Sequence, residues 1–290
     1  MPKEFSLASD VGNIAFKVWN EDLADRVLAL HGWLDNLATF EPLAAKLTHM
    51  RIHGCDLPGH GLSDHLVQGP PYHIIDSAYD IHAILDALKW DDAHIIGHSM
   101  GAGIAMVYAA ADPASIKSLV LLEGLGPLSS PPEECVDRLQ THMRQRRRLK
   151  GKRMPVYENE IQGIAARVAA AEISETAARL ISQRGLKKVD GGFTWRTDAR
   201  LRTRSPQAFS EEQVCAYIRN ISCPVLFIRA RQGFPFGDAI LEGRMRCFQN
   251  LEYYELDGNH HVHIDRADEV ASIIEGFYGK LLRSTTASVI

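Results

Sequence analysis

The stretch Ala93-His94-Ile95-Ile96-Gly97-His98-Ser99-Met100-Gly101 decides how this chain is read. An apolar run suited to a buried strand ends in a serine with a glycine two residues to either side, and a helical pattern follows from Met100 to Ala110. Strand, sharp turn and helix around G-x-S-x-G form a nucleophile elbow. The turn is so tight that a side chain at position 97 or 101 would collide with the neighbouring strand and helix. Ser99 then projects from a helix N-terminus, where free N–H groups and the helix dipole favour developing negative charge. A glycine-rich turn with a capping serine would carry similar letters, but not this strand before it and helix after it.

Working outward, β-branched and aliphatic runs recur at Asn13 to Trp19, Arg26 to Leu30, Met50 to Cys55 and Lys117 to Leu122. Between them, Phe40 to Leu47, Ile75 to Leu88 and Met100 to Ala110 place apolar residues at the i, i+3, i+4 spacing of a helix with one buried face. This alternation predicts a mostly parallel sheet covered by helices on both faces. It stops after Leu122. From about Gly124 to Ser210 the chain reads as helix, turn and helix, with Pro127, Pro131 and Pro132 at the entrance and Ser205-Pro206 near the exit. The alternation resumes with Pro224 to Arg229, a helix at Asp238 to Gln249, a strand at Leu251 to Leu256 and a helix from about Asp268 to Leu282. We therefore expect a core made of residues 1–123 and 211–290, with residues 124–210 as a helical cap over the carboxyl ends of the strands, where open α/β sheets place ligands.

A serine nucleophile needs a base, an acid and an oxyanion site. In a fold with this elbow the chain order is serine, acid, histidine, so the base is sought near the end. Asp257-Gly-Asn-His260-His261-Val-His263 offers three histidines. His260 follows the glycine turn most closely and is assigned as the base. A metal site is not assigned, because an adjacent pair and the His261/His263 spacing do not converge easily on one ion. The oxyanion donors are assigned to the backbone N–H groups of Trp33, in the loop after Leu28-Ala-Leu-His31-Gly32, and of Met100. His31 reads as a structural hydrogen-bonding residue, and Asp56 to Ser63 as a turn that shapes the backbone beside the pocket.

The acid has two candidates. The loop after Pro224 to Arg229, where such an acid usually stands, runs through Ala230-Arg-Gln-Gly233-Phe-Pro-Phe without a carboxylate until Asp238. Leu119-Val-Leu-Leu-Glu123 ends the strand after the nucleophile helix in a carboxylate. Glu123 is the first choice and Asp238 the alternative; whichever oxygen reaches Nδ1 of the base can fix its tautomer. Arg144 to Arg153, the one basic run, reads as a solvated helix face, or as a patch for an anion. Trp33, Phe40, Met100 and Trp195 read as core or as pocket lining.

Composition bounds the rest. The 290 residues are 46% apolar and 23% charged, enough for a sizeable core and too ordinary for disorder or a coiled coil. A formal net charge of −4 gives no bulk attraction to nucleic acid. The five cysteines are scattered and odd in number, so neither a disulfide framework nor a zinc site is indicated. With no apolar run behind Lys3 and no stretch approaching a membrane span, the expected location is the cytoplasm.

Together these motifs resemble the α/β-hydrolase superfamily over nearly the whole chain, and more narrowly the serine-hydrolase-like proteins. The narrower resemblance rests on His31 to Asn36, Leu88-Lys-Trp90, Gly97 to Gly101, Gln183-Arg-Gly185 with Val189-Asp-Gly-Gly192, and Gly258 to His263. It implies a capped, cofactor-free hydrolase of small carboxylic esters or related acyl compounds, with an acidic residue at the position of Glu123. The peroxisomal address suggested for some relatives does not carry over, since the ending Ser284-Thr-Thr-Ala-Ser-Val-Ile290 is not Ser-Lys-Leu. A carbon–carbon bond hydrolase or a perhydrolase would use the same triad, and a binding module would leave Ser99 unactivated. Dehalogenases and epoxide hydrolases would need a carboxylate where Ser99 stands. A small-molecule ester is the expected partner, and the oligomeric state, a homodimer included, is left open.

Overall fold

The structure is a computed structural model; it describes residues 2–67, 72–149, 154–171 and 173–287. Ten strands run in chain order: β1 (Lys3–Ser9), β2 (Gly12–Trp19), β3 (Arg26–Leu30), β4 (Arg51–Cys55), β5 (Ala93–His98), β6 (Ile116–Leu122), β7 (Leu186–Val189), β8 (Gly192–Trp195), β9 (Val225–Gln232) and β10 (Leu251–Asn259). Eight of them form one twisted sheet in the order β1-β2-β4-β3-β5-β6-β9-β10. The β1–β2 and β2–β4 pairs are antiparallel; β4 through β10 run parallel.

Alternation within the buried strands separates two apolar layers. Leu28, Leu30, Ile95, Leu119, Leu121 and Phe227 face one side, against the helices Asp76–Leu88 and Met100–Ala111. Val27, Ala29, Ile96, Val120, Leu122 and Ile228 face the other, against the helix Ala267–Ala287. Central strands covered on both faces explain why these runs are almost continuously apolar in the sequence. Phe40 and Trp195 are buried, so of the four ambiguous apolar residues only Trp33 and Met100 keep exposed surface.

The insertion between β6 and β9 carries the helices Cys135–Leu149, Glu160–Ala170 and Glu175–Gly185. It is not purely helical, as the sequence reading had it. Val189-Asp-Gly-Gly192 closes the β7–β8 hairpin, with Gly191 and Gly192 at φ +85° and +143°, backbone that side-chain-bearing residues avoid. The strand β1 was also unread, because an exposed edge strand shows no apolar run. Of the basic run, Arg144 to Leu149 lie on the helix Cys135–Leu149, and 150–153 lie outside the described residues.

Polar clasps seat the insertion on the core: Asn36 Nδ2 donates to Ile181 O (2.8 Å), Arg184 Nε to Asp56 (2.8 Å) and the Trp33 indole to Leu201 O (2.8 Å). No helix among the described residues is long and apolar enough to cross a membrane.

Candidate active site

Ser99 sits between β5 and the helix Met100–Ala111 with φ +53° and ψ −113°. Such a conformation persists only where the surroundings over-determine it. A side chain at Gly97 would overlap the backbone of Ala102, and one at Gly101 would overlap the carbonyl of Leu30, as the sequence led us to expect. Gly101 thereby lets the N-terminus of the helix Met100–Ala111 rest directly on the end of β3, beside the loop that carries Trp33. The Ser99 N–H donates to Leu122 O (2.8 Å), strapping the turn to β6.

His260 follows β10, whose pairing with β9 is irregular between Leu256 and Asn259. Gly258 there has φ +147°, and its N–H donates to the side chain of Gln232 (2.9 Å). This departure from the ladder delivers the imidazole back over the sheet. His260 Nε2 lies 2.9 Å from Ser99 Oγ, and its Nδ1 lies 3.0 Å from Glu123 Oε2. Glu123 is buried, at φ +54°, and the end of β9 together with the loop after it wraps its carboxylate: Ala230 N–H, in β9, donates to Oε1, and Phe234 N–H, in the loop, to Oε2 (2.8 Å). The loop in which a carboxylate was sought thus supplies donors to one from the neighbouring strand. Asp238 opens the exposed helix Asp238–Met245 and is not among the partners of His260.

The other two histidines part company from His260. His263 Nε2 pairs with Thr39 Oγ1 (2.7 Å), and His261 Nε2 lies 3.0 Å from Asp35 Oδ2. His31 accepts from Leu57 N–H (3.0 Å) through Nε2, a structural role as expected. Burial pushes it down to about 4, so it is neutral near pH 7. Trp33 N–H and Met100 N–H face no backbone or side-chain acceptor among the described residues. Free backbone donors of this kind are what an oxyanion requires.

Sequence reasoning missed three neighbours of this site: His98, Asp35 and Arg167. Ligand atoms of Asp35, His98 and His261 lie within 4.8 Å of one another, close enough for a metal ion. They fit one poorly, because Arg167 already places its guanidinium 2.6 Å from Asp35 and His261 is engaged as a hydrogen-bond donor.

A profile of the α/β-hydrolase fold family matches residues 25–267. The chain belongs to that family. A serine hydrolase-like protein of Danio rerio is 30% identical over 289 residues, covering 94% of this chain and 87% of that one. Serine hydrolase-like protein 2 of Homo sapiens is 30% identical over 94% of this chain and 93% of its own. Among solved structures, a hypothetical protein of Pseudomonas aeruginosa superposes with a TM-score of 0.90 at 34% identity, over 96% of this chain and 99% of that one. This member of the α/β-hydrolase family is accordingly an enzyme of the serine-hydrolase-like kind.

Proposed function

We propose that the enzyme hydrolyses small carboxylic esters or related acyl compounds through an acyl-enzyme, with Ser99 as nucleophile, His260 as general base and Glu123 as the acid. The observation that carries this reading is the unbroken run of contacts from Ser99 Oγ to His260 Nε2 (2.9 Å) and from His260 Nδ1 to Glu123 (3.0 Å). His260 Nε2 takes the hydroxyl proton as Oγ attacks the carbonyl carbon. The oxyanion is received by the N–H groups of Trp33 and Met100, each worth ~10²–10³ in rate. Glu123 holds the Nδ1 proton in place and stabilises the imidazolium. That proton on Nε2 passes to the leaving alkoxide, and a water deprotonated by the same nitrogen then releases the acid.

In this reading residues 124–210 are a cap over a core of 1–123 and 211–290, the location is cytoplasmic, and the chemistry calls for no cofactor. A carbon–carbon bond hydrolase would share the triad. The binding-module alternative rested on a missing acid, and Glu123 within reach of His260 weakens it. The test is intact-mass detection of labelling by a small fluorophosphonate together with turnover of p-nitrophenyl acetate. We expect a single addition to the wild type, none to Ser99→Ala, and nearly complete loss of turnover in that variant. Ester hydrolysis retained by Ser99→Ala would overturn the assignment.

A further inference from the structure

Behind the proposed triad lies a set of buried polar groups that the chemistry above does not use. Asp35, 2% exposed, stands two residues after Trp33. Its Oδ1 accepts from Arg167 of the cap helix Glu160–Ala170 (2.6 Å), and its Oδ2 accepts from His261 Nε2 (3.0 Å). His98, fully buried beside Ser99, places Nε2 2.9 Å from the main-chain oxygen of His260. A carbonyl can only accept, so His98 Nε2 carries the hydrogen. Burial, with the neighbouring histidines, keeps that ring neutral, which leaves its Nδ1 bare. The bare nitrogen cannot donate to Asp35, 3.6 Å away. The carboxylate is therefore held by His261 and Arg167. Burial works against its charge, yet these two partners keep it well below the usual carboxylate range.

The geometry is directional. His98 precedes the nucleophile and grips the base's own carbonyl. His261 follows the base and grips Asp35, whose loop presents the Trp33 N–H. Gly32 lets that loop close on His98, since a Cβ there would lie 2.8 Å from His98 Nδ1. Taking the Asp35 carboxylate and the largely covered Arg167 guanidinium out of water is unfavourable, and an apolar pair would join loop to cap without that penalty.

We propose, building on the Ser99–His260–Glu123 reading, that Asp35 is a positioning residue. Through His261 it holds the segment bearing His260, through its own loop the Trp33 donor, and Arg167 makes this hold depend on a seated cap. The experiment is p-nitrophenyl acetate kinetics on Asp35→Asn, Arg167→Met, Arg167→Lys and the Asp35→Asn/Arg167→Met pair, with Ser99→Ala and the exposed Arg179→Met as references. Displacing catalytic groups by a fraction of an ångström to 1 Å predicts a fall of about 10- to 100-fold in kcat, with KM changed less than about twofold, in Asp35→Asn and Arg167→Met. Arg167→Lys should recover most of kcat, because a single contact asks for a charge and not a fork. The double variant should be no slower than the slower single variant, as residues acting as one unit require. Arg179→Met should match the wild type. Wild-type kcat in Arg167→Met, a loss confined to KM, or multiplicative losses in the double variant would each overturn the proposal. If Asp35→Asn fails to fold, the Arg167 pair decides alone. Turnover surviving in Ser99→Ala would instead strike the triad reading.

Discussion

Gly233 stands where any side chain would overlap the carboxylate of Glu123. The glycine lets the loop after β9 close over that carboxylate, so that Phe234 N–H in the loop donates to it alongside Ala230 N–H in β9. Gly233 is remote in sequence from Glu123 and His260, yet Gly233→Ala should behave like damage to the proposed acid. We expect Glu123→Gln to lower kcat by about 10³–10⁴, Gly233→Ala to lower it in the same direction by a smaller factor, and Asp238→Asn to leave it near the wild type. Steady-state kinetics on the three variants check this; a larger loss in Asp238→Asn would move the acid there.

The Trp33 indole donates to Leu201 O of the insertion (2.8 Å) while 49% of the residue stays exposed. Trp33→Phe removes that clasp and keeps the backbone N–H assigned to the oxyanion. Losing one such bond costs about 1 kcal/mol, which corresponds to roughly a fivefold rise in KM. This clasp lies apart from the Asp35–Arg167 contact, so kcat should change little while KM rises in substrate-saturation curves; a collapse of kcat at constant KM would contradict that separation.

His31 and His60 are both buried, and burial pushes them down to about 4 and about 3. Unfolded histidines titrate near 6.5. Between those values the unfolded chain binds more protons than the folded one, so this contribution is undiminished above about pH 6.5 and is lost as pH falls toward 4. We expect unfolding at pH 5.5 to take up about two protons or more. Calorimetric unfolding in two buffers of different ionisation enthalpy measures this directly, and zero uptake would show that these rings are protonated in the fold.

Asp80 titrates the other way. It is 8% exposed in the helix Asp76–Leu88, and burial raises it to about 6. The folded state holds its proton from about pH 4 to 6 better than the unfolded state, so stability declines as pH rises through that window. Asp80→Asn should stabilise the protein at pH 7 by about 3 kcal/mol and give no advantage near pH 4. Urea midpoints at the two pH values decide it; a destabilised variant at pH 7 would mean the carboxylate has a compensating partner.

Much of this was legible along the chain. The elbow was readable because Gly97 and Gly101 stand two residues to either side of Ser99 between an apolar run and a helical pattern, and the core strands because burial on both faces leaves unbroken apolar runs. The histidine that lies against Ser99 was singled out by chain order and by its place just after a glycine turn. Local signals weaken at an edge. The strand β1 alternates weakly in solvent, and the Asp190-Gly191 turn of the β7–β8 hairpin was passed over because the surrounding insertion reads as helical.

Residue type and local spacing determined by themselves that there is a serine elbow, a late histidine and two carboxylates that could serve it. Only the tertiary structure brought Glu123, and not Asp238, within reach of His260 Nδ1, because β6, β9 and β10 meet through parallel pairing of distant segments. It alone brought Asp35, His98, His261 and Arg167 together. Their contacts cross 132 residues from Arg167 to Asp35 and 226 from His261 to Asp35. No periodicity links such positions; burial does, by favouring a partner for the Asp35 carboxylate wherever the fold supplies one.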